Sequence, residues 1–163
     1  IAAARLNEPF QFPADLPVRR VTLSEHREAC RELERFIQTR GGNCDFNDHA
    51  RMHVHAGTIA RFEYQFDHDL HAIEVHVIRF GDLAIATNPF ELFLDYGNQI
   101  RARSRAAQTF LVQLACGSEG YLPTARAEQG GHYSAYVSSG ITGHEGGDLL
   151  VRQTIGAINA FWR

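Results

Sequence analysis

"HAIEVHVIRFGDLAIATN", residues 71–88, is the stretch that decides the fold. Ile73, Val75 and Val77 alternate with Glu74, His76 and Ile78. A period of two is what a strand with one face in a core requires, because successive side chains point to opposite sides. Gly81-Asp82 is a two-residue hairpin turn, and "LAIATN" returns as the antiparallel partner. Pro89 ends that partner. The protein is therefore built around a sheet.

Working outward, residues 91–103 read as a helix with Leu92, Phe93, Tyr96 and Ile100 on one side. "TFLVQLA" (109–115) is a third strand, apolar almost throughout, and such a run is expected at the centre of a sheet. A long loop, "ACGSEGYLPTARAEQGGHY" (115–133), follows it, and "YSAYVSS" (133–139) reads as a short strand. Asp148 is expected to cap a final helix in which Leu150, Val151, Thr154, Ile155, Ile158, Phe161 and Trp162 recur at helical spacing. Toward the N-terminus, Thr22 and Glu25 form a capping-box pattern for a helix running to Gly41-Gly42. Asn47 or Asp48 is placed to cap a second helix through "HARMHVHAGTIARFEY", which Gly57 interrupts. Residues 1–20 hold three of the five prolines and read as an extended lead-in with a strand near "LPVRRVTL". The sum is an α/β (or α+β) fold with a mixed sheet, a β-hairpin and flanking helices.

The 163 residues suit one unit with a proper core. With 44% hydrophobic and 21% charged residues, the composition is that of globular material. Sixteen Lys+Arg against 19 Asp+Glu give a formal net charge of −3, which is no basic footprint for nucleic acid. No apolar run approaches the roughly 20 residues of a membrane span. The chain begins at Ile1 and its only methionine is Met52, which reads as a piece of a longer protein rather than a remnant of signal cleavage. Cys30, Cys44 and Cys116 form an odd count without metal-site spacing. They read as buried free thiols and lean toward a reducing compartment.

Two side chains stand where chemistry is usually presented, beyond the ends of predicted strands. Glu91 follows Pro89-Phe90, and Tyr121 lies inside the long loop. The plainer alternatives are a helix-start charge for Glu91 and an aromatic covering the core edge for Tyr121. Among nine histidines, His132 shares the loop system of Tyr121 and is the best candidate for a site. His53 and His55 ("MHVH") diverge if they lie on a helix and share a face only on a strand. Asp67 to His71 reads as a solvated turn, His76 as paired with Glu74 on a strand face, and His144 as a capping-loop residue. "CGSEG" is not a nucleophile-elbow motif, and no Gly-Gly pair has a nucleotide-binding context.

"GDLAIATNPFELFLDYGNQIRARS", "TFLVQLACGSEGYLPT", "GGHYSAY" and "GHEGGDLLVRQTI" follow one another in this order. Together, over roughly residues 71–162, they resemble the C-terminal part of the neutral/alkaline non-lysosomal ceramidase family, in particular its shorter bacterial relatives. The resemblance implies that residues 1–163 are a single unit completing a larger ceramidase-like domain. It implies a zinc-dependent hydrolase of N-acyl amide bonds, with Glu91 and Tyr121 as two zinc ligands; Tyr121 and, from its place in the same loop system, His132 are the expected catalytic groups. Histidines from a missing N-terminal part, or from a companion chain, would complete the metal site. In such a site zinc polarises a carbonyl and makes bound water nucleophilic near neutral pH. The alternative is a catalytically silent ligand-binding or assembly domain of the same family. Phe90 stands where that family commonly has glycine, and is expected to narrow or reshape the approach to a metal. If strands 83–88 and 109–115 are neighbours, the Glu91 and Tyr121 oxygens should lie within about 4–5 Å, as two ligands with ~2 Å metal bonds require. Gly117 and Gly120 should let the loop turn, and Pro123 should hold its exit.

Overall fold

A computed structural model describes residues 10–162. The expected lead-in before residue 10, with the Ile1 start, lies outside them. In chain order the elements are β1 (Phe10–Pro17), α1 (Leu23–Arg40), α2 (Phe46–Tyr64), β2 (Leu70–Phe80), β3 (Leu83–Thr87), β4 (Glu91–Leu92), α3 (Leu94–Arg103), β5 (Gln108–Val112), β6 (Tyr121–Leu122), α4 (Ala125–Gly130) and α5 (His144–Ala160). Two 3-10 turns, Tyr133–Ala135 and Val137–Ser139, stand between α4 and α5. The class is α/β, with a mixed sheet and flanking helices.

The 71–88 stretch forms the expected hairpin, β2 antiparallel to β3, with Phe80 opposite Leu83 across the Gly81-Asp82 turn. β1 joins the other side of β2 in antiparallel register, Ala14 facing Ile73. β5 lies parallel to β3, Ile85 opposite Phe110, and α3 supplies the crossover that a parallel pair needs. The order is β1-β2-β3-β5. One face of this sheet carries Ala14, Leu16, Ile73, Val75, Val77, Ala84 and Ala86, all buried. Against it pack Tyr96 and Ile100 of α3 and Leu150, Val151 and Ile158 of α5. Removing each Val, Leu or Ile side chain among these from water stabilises the fold by roughly 1.5–3 kcal/mol.

Several expectations are corrected. The 109–115 run is an edge strand, not a central one. Phe110 and Val112 point away from the helices and are 45% and 42% exposed. The N-terminal strand is not at "LPVRRVTL" but ends at Pro17. Beyond it only Val18 makes an isolated bridge, to Thr142. Pro13 and Pro17 are compatible with β1 because it is the outer strand among the described residues. The helix expected from residue 91 begins at Leu94, and Glu91 and Leu92 are strand. The second helix is capped by Asp45, whose side chain accepts from the Asp48 amide in a capping box. Gly57 does not interrupt it: the helix passes straight through, and the missing Cβ admits Ser138, whose Cβ would lie 2.6 Å away. "YSAYVSS" forms the two 3-10 turns rather than a strand. Asp148 lies inside α5, which starts at His144. The Glu128 carboxylate accepts from the His144 amide at 2.8 Å there, so the capping oxygen comes from α4.

The α1–α2 hairpin is tied to the sheet layer by polar contacts. Arg61 donates to the carbonyls of Ile141 at 2.6 Å and Arg19 at 3.2 Å, and burial lowers its pKa. Gln65 exchanges hydrogen bonds with the backbone of Val21. The capping box expected at Thr22 and Glu25 is present.

Candidate functional site

Beyond Thr87 and Val112 the parallel pair β3–β5 loses its ladder and recovers it a few residues later as β4–β6. Four backbone bonds carry the register across the gap. The Asn88 amide donates to the Val112 carbonyl (3.0 Å), Ala115 to Asn88 (3.0 Å), Glu119 to Pro89 (2.9 Å) and Glu91 to Gly120 (2.9 Å). The result places Glu91 opposite Tyr121 and Leu92 opposite Leu122. Strand alternation then separates the two pairs. The leucines are buried, while Glu91 and Tyr121 remain half-exposed on the other side.

The loop reaches this position through left-handed backbone. Gly120 has φ +73° and bridges Gly140, and a Cβ at Gly120 would meet the Ser139 carbonyl oxygen at 2.4 Å. The exit is held at Pro123, whose carbonyl accepts the Tyr96 hydroxyl at 2.8 Å. The Tyr121 phenol lies beside the Glu91 carboxylate and the Tyr133 hydroxyl. These contacts, that to Glu91 foremost, raise its pKa to about 12. Tyr121 is therefore a neutral phenol at ordinary pH. Tyr133 meets it edge-on, with ring centroids 5.6 Å apart. His132 packs on Tyr133 at 4.8 Å, one ring removed from Tyr121.

Other expected features fall elsewhere. Glu91 is not a helix-start charge, since it sits in β4. Phe90 does not narrow the approach to this corner: its side chain is fully buried and belongs to the core. His53 and His55 lie on helix α2, where positions two apart diverge. The Asp67–His71 segment is only partly a solvated turn, for His71 belongs to β2 and pairs with Glu119 at 2.8 Å. His144 Nδ1 is held by Glu128 at 2.7 Å.

The cysteines are not buried. Cys30 and Cys44 are half-exposed and Cys116 is exposed, all three as free thiols. Cys116 lies in the turn after β5 with φ +61°, and Leu114 before it has φ +52°. This turn swings the thiol back over β2, where Sγ lies 3.6 Å from His76 Nδ1. His76 Nε2 in turn lies 3.0 Å from the Glu74 carboxylate. Sequence reasoning paired His76 with Glu74 from their shared strand face but did not bring Cys116 to them. The two positive-φ residues that do so carry no glycine to announce them.

No protein-family model matches the chain, and no curated protein or solved structure is significantly similar to it. What the fold and site define is a class: an α/β protein that presents an acid–phenol pair beyond the ends of two parallel strands.

Proposed function

We propose that Glu91 and Tyr121 form one side of the zinc site of a ceramidase-like hydrolase acting on N-acyl amide bonds. The observation that carries this reading is the β4–β6 register, which sets the carboxylate directly beside the phenol. A carboxylate oxygen is an ordinary zinc donor, and the phenol would become one when the cation favours its phenolate over the neutral form, so the pair would supply two positions of a tetrahedral set. The remaining ligands are histidines from a preceding part of the same protein or from a companion chain. When bound, the ion supplies Lewis-acid polarisation of the amide and a nucleophilic water. Glu91 contributes the fixed negative charge. Tyr121 contributes its phenol oxygen, and Tyr133 and His132 form the aromatic wall behind it.

The uncovered side of the sheet supports completion by another polypeptide segment. Ile78, Ile85 and Phe110 form one apolar row across it, and Phe80 and Leu83 a second. Among the described residues no helix packs on this side.

The test uses the full-length protein. Metal content is measured together with hydrolysis of an N-acyl amide before and after chelation, in wild type and in Glu91→Gln and Tyr121→Phe. The reading expects bound zinc, activity lost on chelation, and a loss of about 10²-fold or more in each variant. Absence of both metal and turnover overturns it, and leaves the same corner a silent ligand-binding or assembly role.

A further inference from the structure

Away from the Glu91–Tyr121 corner, the open face of the sheet carries a chain of three groups in a fixed order: carboxylate, imidazole, thiol. Glu74 and His76 are two residues apart on β2 and so share a face. Glu74 meets Nε2 of the ring and Cys116 meets Nδ1, at 3.0 and 3.6 Å. The donor atoms of the three residues all lie within 4.8 Å of one another, a spacing that would also suit a metal. The order decides between the two. Ligands of one ion converge on a single point and use a single ring nitrogen, whereas here opposite nitrogens are engaged by different partners. That is the arrangement of a base whose far side is held by an acid. Beside the thiol is a groove of about 530 Å³, lined by Gln11, Pro13, Ile73, Glu74, Pro89 and Glu119 as well as Cys116 itself.

We propose that Cys116 is a nucleophile, with His76 as its general base and Glu74 as the residue that positions His76, and that it transfers acyl groups from uncharged or cationic esters or thioesters. In the first step the thiol proton passes to His76 Nδ1 while Sγ bonds to the carbonyl carbon. Collapse of the tetrahedral adduct breaks the bond to the alcohol or thiol, which leaves with the proton from His76. Water then attacks the thioester with His76 again as base, releasing the acid and restoring the thiol. Among the described residues no hydrogen bond engages the amides of Gly117 and Ser118, so both remain to receive the oxyanion. The class of substrate follows from the walls. Glu74 and Glu119 place negative charge at the groove and disfavour an anionic acyl group, while the exposed Pro13 offers apolar contact.

The other two cysteines are internal controls. Cys30 has a histidine nitrogen at 3.7 Å but lies on α1, with that histidine stacked on Phe62. Cys44 has only a carbonyl neighbour. The experiment treats the full chain with p-nitrophenyl acetate at neutral pH and follows acetylation of each cysteine by peptide mass spectrometry. Cys116 is expected to react at least about tenfold faster than Cys30 or Cys44, the lower end of what a positioned base contributes. His76→Ala should abolish that advantage and added imidazole should restore part of it, a rescue that a merely structural histidine would not show. Glu74→Gln should give an intermediate rate. Equal reactivity of the three cysteines overturns the proposal, as does an unchanged rate in His76→Ala. Stoichiometric zinc binding lost together in Glu74→Gln, His76→Ala and Cys116→Ser also overturns it, in favour of a metal site.

Discussion

The two faces of the four-stranded sheet are made from the same strands and have opposite fates. Toward α3 and α5, Ala14, Leu16, Val75, Val77 and Ala84 are almost completely removed from water. On the other side Phe80, Phe110 and Val112 remain more than two-fifths exposed, and Glu74, His76 and Cys116 come together. The short β4–β6 ribbon repeats the division on a smaller scale, with leucines inward and the Glu91–Tyr121 pair outward. In this molecule one layer of side chains holds the fold and the other is left open. Stability and the two proposed sites thereby fall on alternate residues of the same strands.

The comparison breaks if substitutions on the two faces cost the same. Leu16→Ala removes a fully buried side chain beneath α5 and should lower the unfolding free energy by about 2–5 kcal/mol in urea denaturation. A loss below about 1 kcal/mol would mean that the helices do not seal this face.

A second test concerns the outward side of the ribbon. Glu91→Gln removes the contact that contributes most to holding the Tyr121 proton, so an ultraviolet titration should show Tyr121 moving from about 12 toward the ordinary phenol value near 10. The sign of the linkage follows. Because the folded value lies above the unfolded one, the contribution of this contact is complete below about pH 10 and is lost as pH rises through about 12. Titration of Tyr121 unchanged in Glu91→Gln would show that the two side chains do not meet in solution.

The smallest effect is expected at Phe110→Ser. Its ring contributes little to the core, so the unfolding free energy should change by no more than about 0.5 kcal/mol, while light scattering at high concentration should show less self-association. A change as large as that for Leu16→Ala would show that something covers this face.

The hairpin and the first helix were legible in the sequence because their signals are local. Alternation from Ile73 to Val77 and the Thr22–Glu25 box need no distant partner. The edge position of β5 was not legible. An apolar run reads alike whether both faces are buried or one is left open, and only the strand order separates the two. Glu91 was read as helical since Leu92, Tyr96 and Ile100 do fall on one side, but two of those residues lie beyond the start at Leu94 and Leu92 before it. Of the candidate residues, the convergence of Glu91 and Tyr121 was anticipated from the expected neighbouring strands, whereas the approach of Cys116 to His76 depends on backbone that reverses at Leu114 and Cys116 without a glycine.

The two outer strands of the sheet also differ in what they permit between molecules. In β1, Pro13 and Pro17 have the same parity and lack the amide protons that would otherwise face away from β2. β5 contains no proline, and among the described residues no strand pairs with its outer edge beside Phe110 and Val112. Addition of β5 to β1 of the next copy would propagate head to tail into a fibre, and the prolines remove two of the donors that step would use, leaving those of Gln11 and Asp15. Addition of β5 to β5 is self-complementary and ends after two copies. The placement of two imino acids thus weakens open-ended strand addition relative to a closed pair.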